Sequence, residues 1–342
     1  MQATGTRRQS IGTAVVLGGG VMGLTTAIRL AESGINVRVV ARDYLRGTTS
    51  WIATAIWHVF WVGLDERVER WSAESLDELL RLSSSPESGI SRVRGIECVR
   101  TTSPEADLVH GGASGFWRDV VPYYLHLSRE EVIARLPDDY PIETISGGYI
   151  IEVPIADMSV YLPYLLGRLE ALGVNPETAE VHDIDDLRAR FPADIYVNCT
   201  GLGSREFAND TELQGVKGQI VRVSKGDISE YIADDFSPRG MTYILPRTGD
   251  VILGGSAEES VEDNQVDLDF SEEIINRCSQ LMPAVAGSAV LEHLAGVRPF
   301  RKSVRLERDP LHEDLVHNYG HGGSGVSLSW GCADEVVRIA SE

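Results

Sequence analysis

The sequence predicts an α/β fold, with a parallel, helix-packed unit at its start and hairpin-forming strands further along. Three observations carry this. First, residues 14–17 form a short apolar run, Gly18, Gly20 and Gly23 follow in G-x-G-x-x-G spacing, and residues 24–33 take up helical periodicity. Second, Gly34 stops that helix and residues 37–41 form another apolar run ending in Arg42-Asp43. Third, residues 242–255, TYILPRTGDVILGG, alternate on either side of a turn at 247–250, the pattern of a β-hairpin.

The first two observations describe a Rossmann-like βαβ unit, and each glycine in it has a reason. Gly18 makes the tight turn, Gly20 lets the backbone approach a pyrophosphate, and Gly23 lets the helix pack close to the strand. The helix presents Leu24, Ala27, Ile28, Leu30 and Ala31 on one face. Its positive N-terminal end is where a pyrophosphate would rest. The strand before and the second strand after give the motif its required context. The motif alone leaves NAD and FAD both open.

Next comes YLRGTTSWIATAIWHVF, residues 44–60, where Thr48, Thr49 and Ser50 are three hydroxyls in a row. Such a run serves either cofactor phosphates or turn and cap chemistry. Residues 65–82 read as an amphipathic helix broken by Ser83-Ser84-Ser85-Pro86. Residues 89–148 alternate short β-like runs with turns and hold one helix near 128–136, opened by the capping box Ser128…Glu131. Residues 147–153 are strand-like, and 157–172 form a helix ended by Gly173. The stretch ADIYVNCTG, residues 193–201, is a strand running into a turn, so the nucleotide domain is expected to be assembled from separate pieces. Strands at 219–223 and 242–255 follow, separated by the loop 234–240, and a helix spans 270–282. A basic island at 291–306 precedes the glycine-dense stretch 315–331 and a last helix at 333–340.

With 342 residues the chain has room for two domains, and 43% hydrophobic with 24% charged residues is ordinary for a globular protein. A net charge of −20 argues against nucleic acid and anionic membrane, which need a basic face. No apolar run reaches the ~18–20 residues of a membrane span. The apolar run near the N-terminus is the nucleotide strand and not a signal peptide, and the terminal Ile-Ala-Ser-Glu is not a peroxisomal tripeptide, so a cytoplasmic location is expected. Cys98, Cys199, Cys278 and Cys332 are far apart and read as buried free thiols.

Two features downstream could carry chemistry. Gly320, Gly322, Gly323 and Gly325 make a loop that a flat ligand can approach closely. Arg298 lies in Gly296-Val297-Arg298-Pro299, whose glycine and proline restrict the backbone, so its guanidinium could clamp a carboxylate in bidentate fashion. His317 and His321 stand at i, i+4, but no carboxylate or cysteine completes a metal set, and no metal is expected.

The stretch VHNYGHGGSG, residues 316–325, continuing to Ser329-Trp330-Gly331-Cys332-Ala333, resembles the C-terminal signature of the D-amino acid oxidases. LGGGVMGL, VVARD, ADIYVNCTG, KGQIVRV, TYILPR…VILGG and GVRPFRKSVRLE match the same family in the same order, over nearly the whole chain. The resemblance implies a Rossmann-like FAD-binding domain (1–60, 150–205 and 290–342). It implies a second, substrate-binding domain on a mixed β-sheet (61–149 and 206–289). It also implies hydride transfer from the Cα of a D-amino acid to flavin, with O2 as acceptor and hydrogen peroxide as product, and a homodimer. Carried over by residue, Arg298 would bind the α-carboxylate, the Tyr243 hydroxyl would support it, and the Gly323 carbonyl would accept from the amino group. FAD would be held by Gly18, Gly20, Val21, Met22 and Gly23, by Arg42, Asp43, Thr48 and Thr49 along its ADP portion, and by Val181, Gly322, Gly325 and Ser327 from later segments.

The sequence departs from that family where the substrate side chain would sit. Many members carry a Trp, an aromatic or Gln, then Pro and Tyr, where this chain has Trp57-His58-Val59-Phe60. The lid tyrosine has no counterpart in residues 236–241, where Phe236 and Arg239 fall nearby. His58, Phe60 and Arg239 are therefore the candidate side-chain pocket. Either His58 and Arg239 receive a polar or acidic side chain, as in D-aspartate oxidases, or they are a packed histidine and a solvated charge. D-aspartate or D-glutamate oxidation, a pathway-specific amine oxidase, a non-catalytic flavoprotein and a nicotinamide dehydrogenase are the competing functions.

Overall fold

In the computed structural model, which describes residues 12–60, 62–63, 65–103 and 115–342, the opening apolar run becomes strand β1 (Thr13–Gly19). The glycine turn passes it to helix α1 (Val21–Glu32) and then to β2 (Asn36–Tyr44). Residues 1–11, part of the reading against a signal peptide, and 104–114, inside the alternating stretch 89–148, lie outside the described residues.

The later strands are β3 (Ile90–Arg100), β4 (Tyr123–Leu127), β5 (Ile145–Ala156), β6 (Glu177–Thr178), β7 (Ile195–Asn198) and β8 (Gln214–Ser224). They continue with β9 (Tyr231–Asp234), β10 (Thr242–Pro246), β11 (Asp250–Gly254), β12 (Glu258–Glu259), β13 (Val290–Arg308) and β14 (Leu315–His321). They join one sheet in the order β4-β5-β3-β9-β10-β11-β8-β13-β14-β7-β1-β2-β6, with β12 added on β8.

The run β14-β7-β1-β2-β6 is parallel throughout. The run from β4 to β13 is antiparallel except for the parallel pair β3–β9, so this half is mixed. The α/β expectation holds, and the strand at 193–201 lies beside β1 as its sequence suggested. β13 joins the halves: residues 290–300 pair with β8, and Phe300 onward pairs with β14.

Parallel strands are buried on both faces, which explains why β1 is apolar without alternation. Ala14 and Val16 face one core; Val15 and Leu17 face another, formed with Leu187 and Phe191. The first core also takes α1 and the helices α2 (Thr49–Ile52), α3 (Glu66–Leu82) and α4 (Met158–Ala171). Asp65 caps α3 by accepting from the Arg67 and Val68 N–H groups, an arrangement worth ~1 kcal/mol. A further core lies between the mixed half and helix α5 (Leu268–Leu281), which begins two residues before the predicted start because Asp267 caps it.

The last helix is the main correction. It is expected at 333–340, but α6 spans Gly325–Ser341. The glycines and serines of its first half lower helix propensity, which hides it from a pattern reading. Packing overrides propensity here. A Cβ on Gly331 would lie 2.2 Å from the Trp71 carbonyl oxygen of α3, and the Gly331 N–H donates to Ser75 Oγ at 2.9 Å. The glycine-dense loop is accordingly short: β14 runs to His321, and one 3-10 turn, Gly322–Ser324, leads into α6.

Candidate active site

A cavity of about 640 Å³ runs from the glycine turn to the mixed half of the sheet. At one end α1 begins at Gly20 with no side-chain cap. The Val21 N–H donates to Ser50 Oγ at 3.0 Å, so the third hydroxyl of the Thr-Thr-Ser run serves the turn directly. Gly18 adopts φ +132°, and a Cβ there would lie 2.4 Å from the Cys199 carbonyl oxygen. A Cβ on Gly23 would lie 1.9 Å from the Gly18 carbonyl oxygen, so Gly23 sits behind the turn and sets the helix–strand distance. Gly20 meets only the Ser50 side chain, at 3.0 Å, and otherwise faces the cavity. A helix N-terminus whose cap residue is a bare glycine, with the Val21 N–H held by Ser50, fits a pyrophosphate.

Most of the predicted cofactor residues line this cavity: Gly18, Gly20, Val21, Met22, Arg42, Asp43, Thr48, Thr49, Val181, Gly322, Gly325 and Ser327. Some of their polar atoms are already engaged. Arg42 pairs with Asp43 at 2.6 Å, the Thr48 hydroxyl donates to the Leu45 carbonyl, and the Thr49 hydroxyl donates to the Val297 carbonyl. The Ser327 hydroxyl accepts from the His58 N–H at 3.0 Å and donates to the His58 carbonyl at 2.8 Å. It therefore ties the 56–60 segment to α6. Ser324 does the same for Phe60, at 2.7 and 2.8 Å.

In the mixed half the sheet register builds the face that carries Tyr243 and Arg298. Tyr243 pairs with Gly254, Gly254 with Ile220, and Gly296 with Gly218, two residues along β8 from Ile220. Arg298 lies two residues beyond Gly296. Paired residues, and residues two apart on one strand, share a sheet face. Tyr243, Ile220 and Arg298 therefore project from the same face, whose members Gly218, Ile220, Gly296 and Arg298 line the cavity.

Two glycines missed by the sequence reading make that face usable. A Cβ on Gly218 would lie 2.3 Å from Arg298 Nη1, and one on Gly254 would lie 2.0 Å from the Tyr243 ring. A glycine inside a strand is the signal that could have found them. Arg298 Nη1 donates to the Ser256 carbonyl at 3.0 Å, and among the described residues no carboxylate pairs with this guanidinium. Burial holds the Tyr243 hydroxyl protonated, with the Arg298 charge acting in the opposite direction. Gly323 is exposed in the cavity wall, and a Cβ there would lie 2.8 Å from the Phe60 carbonyl oxygen.

None of the three candidate pocket residues is among those lining the cavity. His58 and Phe60 lie beside the start of α6, their rings 6.4 Å apart. Arg239 is exposed and its guanidinium donates to Gln280 of α5. His317 bonds Asp309 through Nε2 at 2.9 Å and Asn198 through Nδ1 at 3.2 Å, while His321 Nε2 meets Cys332 Sγ at 3.6 Å.

Burial pushes the His58 imidazole down from 6.5 to about 4. Between those values the unfolded chain binds a proton that the native chain does not. This contribution to stability is complete above 6.5 and is lost as pH falls toward about 4. His58→Gln should therefore flatten the fall in melting temperature between about pH 7 and about pH 5. Equal falls in both proteins would remove His58 from the titrating groups.

A helix N-terminus at a glycine turn and an arginine-bearing sheet face border one cavity, an arrangement that suits a nucleotide pyrophosphate and an anionic ligand. The DAO family model, described as FAD dependent oxidoreductase, matches residues 13–339. The chain is 40% identical over 338 residues to a D-amino-acid oxidase of Rubrobacter xylanophilus, covering 98% of each chain. It is 31% identical to a D-aspartate oxidase of Homo sapiens, covering 96% of this chain and 94% of that one. The glycine oxidase structure from Geobacillus kaustophilus shares the fold, with a TM-score of 0.79 at 19% identity over 96% of this chain and 94% of that one. The chain belongs to this family of FAD-dependent oxidoreductases.

Proposed function

We propose that the chain is an FAD-dependent D-amino-acid oxidase, with Arg298 as its carboxylate clamp. The observation that carries this is the Arg298 guanidinium lodged over Gly218 in the cavity wall, with a backbone carbonyl as partner. FAD, when bound, supplies the hydride acceptor at Cα and the route of the electrons to O2, with hydrogen peroxide as the reduced product. The glycine turn with Val21 and Met22 would hold the pyrophosphate. Arg42, Asp43, Thr48, Thr49 and Val181 would lie along the ADP portion, and Gly322, Gly325 and Ser327 along the flavin. Arg298 would pair with the substrate carboxylate, the Tyr243 hydroxyl would donate to it, and the Gly323 carbonyl would accept from the amino group. Three fixed contacts set which face of Cα is presented, so orientation decides stereospecificity.

Tyr243→Phe deletes one hydroxyl donor and keeps the ring on Gly254. Its KM should rise about 5-fold, the equivalent of ~1 kcal/mol. An unchanged KM would mean the ring only packs.

The wider reading includes two domains, with residues 1–60, 150–205 and 290–342 on the cofactor side and 61–149 and 206–289 on the substrate side. The parallel and mixed halves of the sheet support the division, but β5 pairs with β3 and β4 and residues 290–300 of β13 pair with β8, so both of these segments lie in the mixed half. Four free, buried cysteines suit a reducing cytoplasm. Among the described residues no helix is long and apolar enough to cross a membrane. A homodimer rests on the family resemblance, and sedimentation of the pure protein tests it.

The relative named D-aspartate oxidase motivates a second reading, oxidation of acidic D-amino acids. Arg239, turned toward Gln280, and His58, held neutral by burial, speak against it. The test is anaerobic bleaching of the flavin by a panel of D-amino acids. Reduction by D-Ala, D-Met or D-Phe faster than by D-Asp supports the first reading. Preference for D-Asp supports the second, and no bleaching by any of them overturns both.

A further inference from the structure

We infer that Arg277 is a positioning residue for the substrate clamp, tying the loop 235–240 to the segment 254–256 on which Tyr243 and Arg298 rest. The inference depends on the reading of Arg298 and Tyr243 as substrate-binding groups.

Arg277 rises from α5 and is only 7% exposed. Its Nη1 donates to the Arg239 carbonyl at 3.2 Å and its Nη2 to the Gly255 carbonyl at 3.2 Å. Gly240 adopts φ +98° above the guanidinium, and a Cβ there would lie 2.2 Å from Nη1. The Phe270 ring centroid is 5.3 Å from the guanidinium carbon, and the facing carboxylate, Glu273, is exposed and 3.8 Å away. Among the described residues the buried Nε has no hydrogen-bond partner. Burying a guanidinium costs several kcal/mol, and a distant exposed carboxylate offsets little of that. What the site obtains is a rigid fork that reaches two carbonyls from two different segments.

The second of those segments carries the clamp. Gly254 lies under the Tyr243 ring, and a Cβ on Gly255 would lie 2.5 Å from the Tyr243 hydroxyl. The next carbonyl, Ser256, accepts from Arg298. Two arginines from different elements thus hold adjacent carbonyls of one short strip, Arg277 from beneath and Arg298 from the cavity side. Without Arg277, the Gly255 carbonyl loses its partner and the strip shifts, while the β10–β11 ladder remains. The Tyr243 hydroxyl and the Arg298 guanidinium then lose their common register toward one carboxylate.

The experiment uses the FAD-loaded protein and the variants Arg277→Met and Arg277→Lys. It reads KM and kcat for the best D-amino acid, and the Kd of propanoate from its perturbation of the flavin spectrum. Propanoate has the carboxylate without the amine. Arg277→Met should raise both KM and the propanoate Kd about tenfold and change kcat less than about threefold, with Arg277→Lys recovering part of the loss. Both constants within twofold of the wild type overturn the assignment, as does a fall in kcat and melting temperature with KM unmoved. If the methionine variant does not fold, Arg277→Gln, neutral and still a donor, is read by the same thresholds. A wild type that no D-amino acid reduces overturns the functional reading itself. A reducible wild type with unchanged variants overturns only the role of Arg277.

Discussion

Replacing Arg298 by methionine is expected to raise KM for a D-amino acid by about 100-fold, ~2.7 kcal/mol of lost binding. A charge-assisted bond to a carboxylate is worth ~1.5–3 kcal/mol, and a bidentate pair has two of them. Among the described residues the guanidinium bonds the Ser256 carbonyl, which leaves further donors for a ligand. Flavin content should stay at the wild-type level, because Arg298 is not part of the glycine turn and its guanidinium bonds the Ser256 carbonyl. Steady-state kinetics with a flavin spectrum of each preparation checks both statements. A KM within about threefold of the wild type would remove Arg298 from the clamp.

Replacing Gly23 by valine is expected to yield a colourless, destabilised protein. The new Cβ would fall 1.9 Å from the Gly18 carbonyl oxygen, backbone against backbone, and no rotamer relieves that. Either α1 lifts off β1 or the Gly18 turn opens, and both dismantle the pyrophosphate cradle. Overpacking of this kind costs ~1–3 kcal/mol and occasionally more. Flavin occupancy should fall below about a tenth, and the melting temperature should fall with it. Gly20→Ala is the control, because its Cβ meets only the Ser50 side chain, at 3.0 Å. That variant should fold normally and bind FAD more weakly. Full occupancy in Gly23→Val would show that the helix–strand distance does not control the cofactor.

Elements governed by local chemistry were legible in the sequence. The βαβ unit, the capping box at Ser128 and the hairpin turn after Pro246 are written in residues a few positions apart. What could not be read depends on neighbours far along the chain. The start of α6 is hidden by small residues whose role, admission of Trp71 against Gly331, exists only once α3 is in place. Gly218 and Gly254 look like strand defects until Arg298 and Tyr243 are set on them by register. The family pattern puts Arg239 and His58 together near the substrate side chain. The structure gives the loop position a different partner, Gln280, and leaves the buried cation beneath it to Arg277.

The long strand β13 has a mechanical consequence. Arg298 lies two residues before Phe300, the point at which β13 pairs with Gln214 of β8 and His321 of β14 together. Two residues of strand span ~6.6 Å and hardly stretch. The proposed carboxylate clamp and the strand that leads into the 322–324 turn are thus graduations on a single ruler. Breathing between the halves of the molecule cannot change the spacing of those marks without breaking the ladder on both sides. On the reading proposed for Arg298, the backbone spacing between the carboxylate clamp and the strand leading to the 322–324 turn is set by a strand of fixed length.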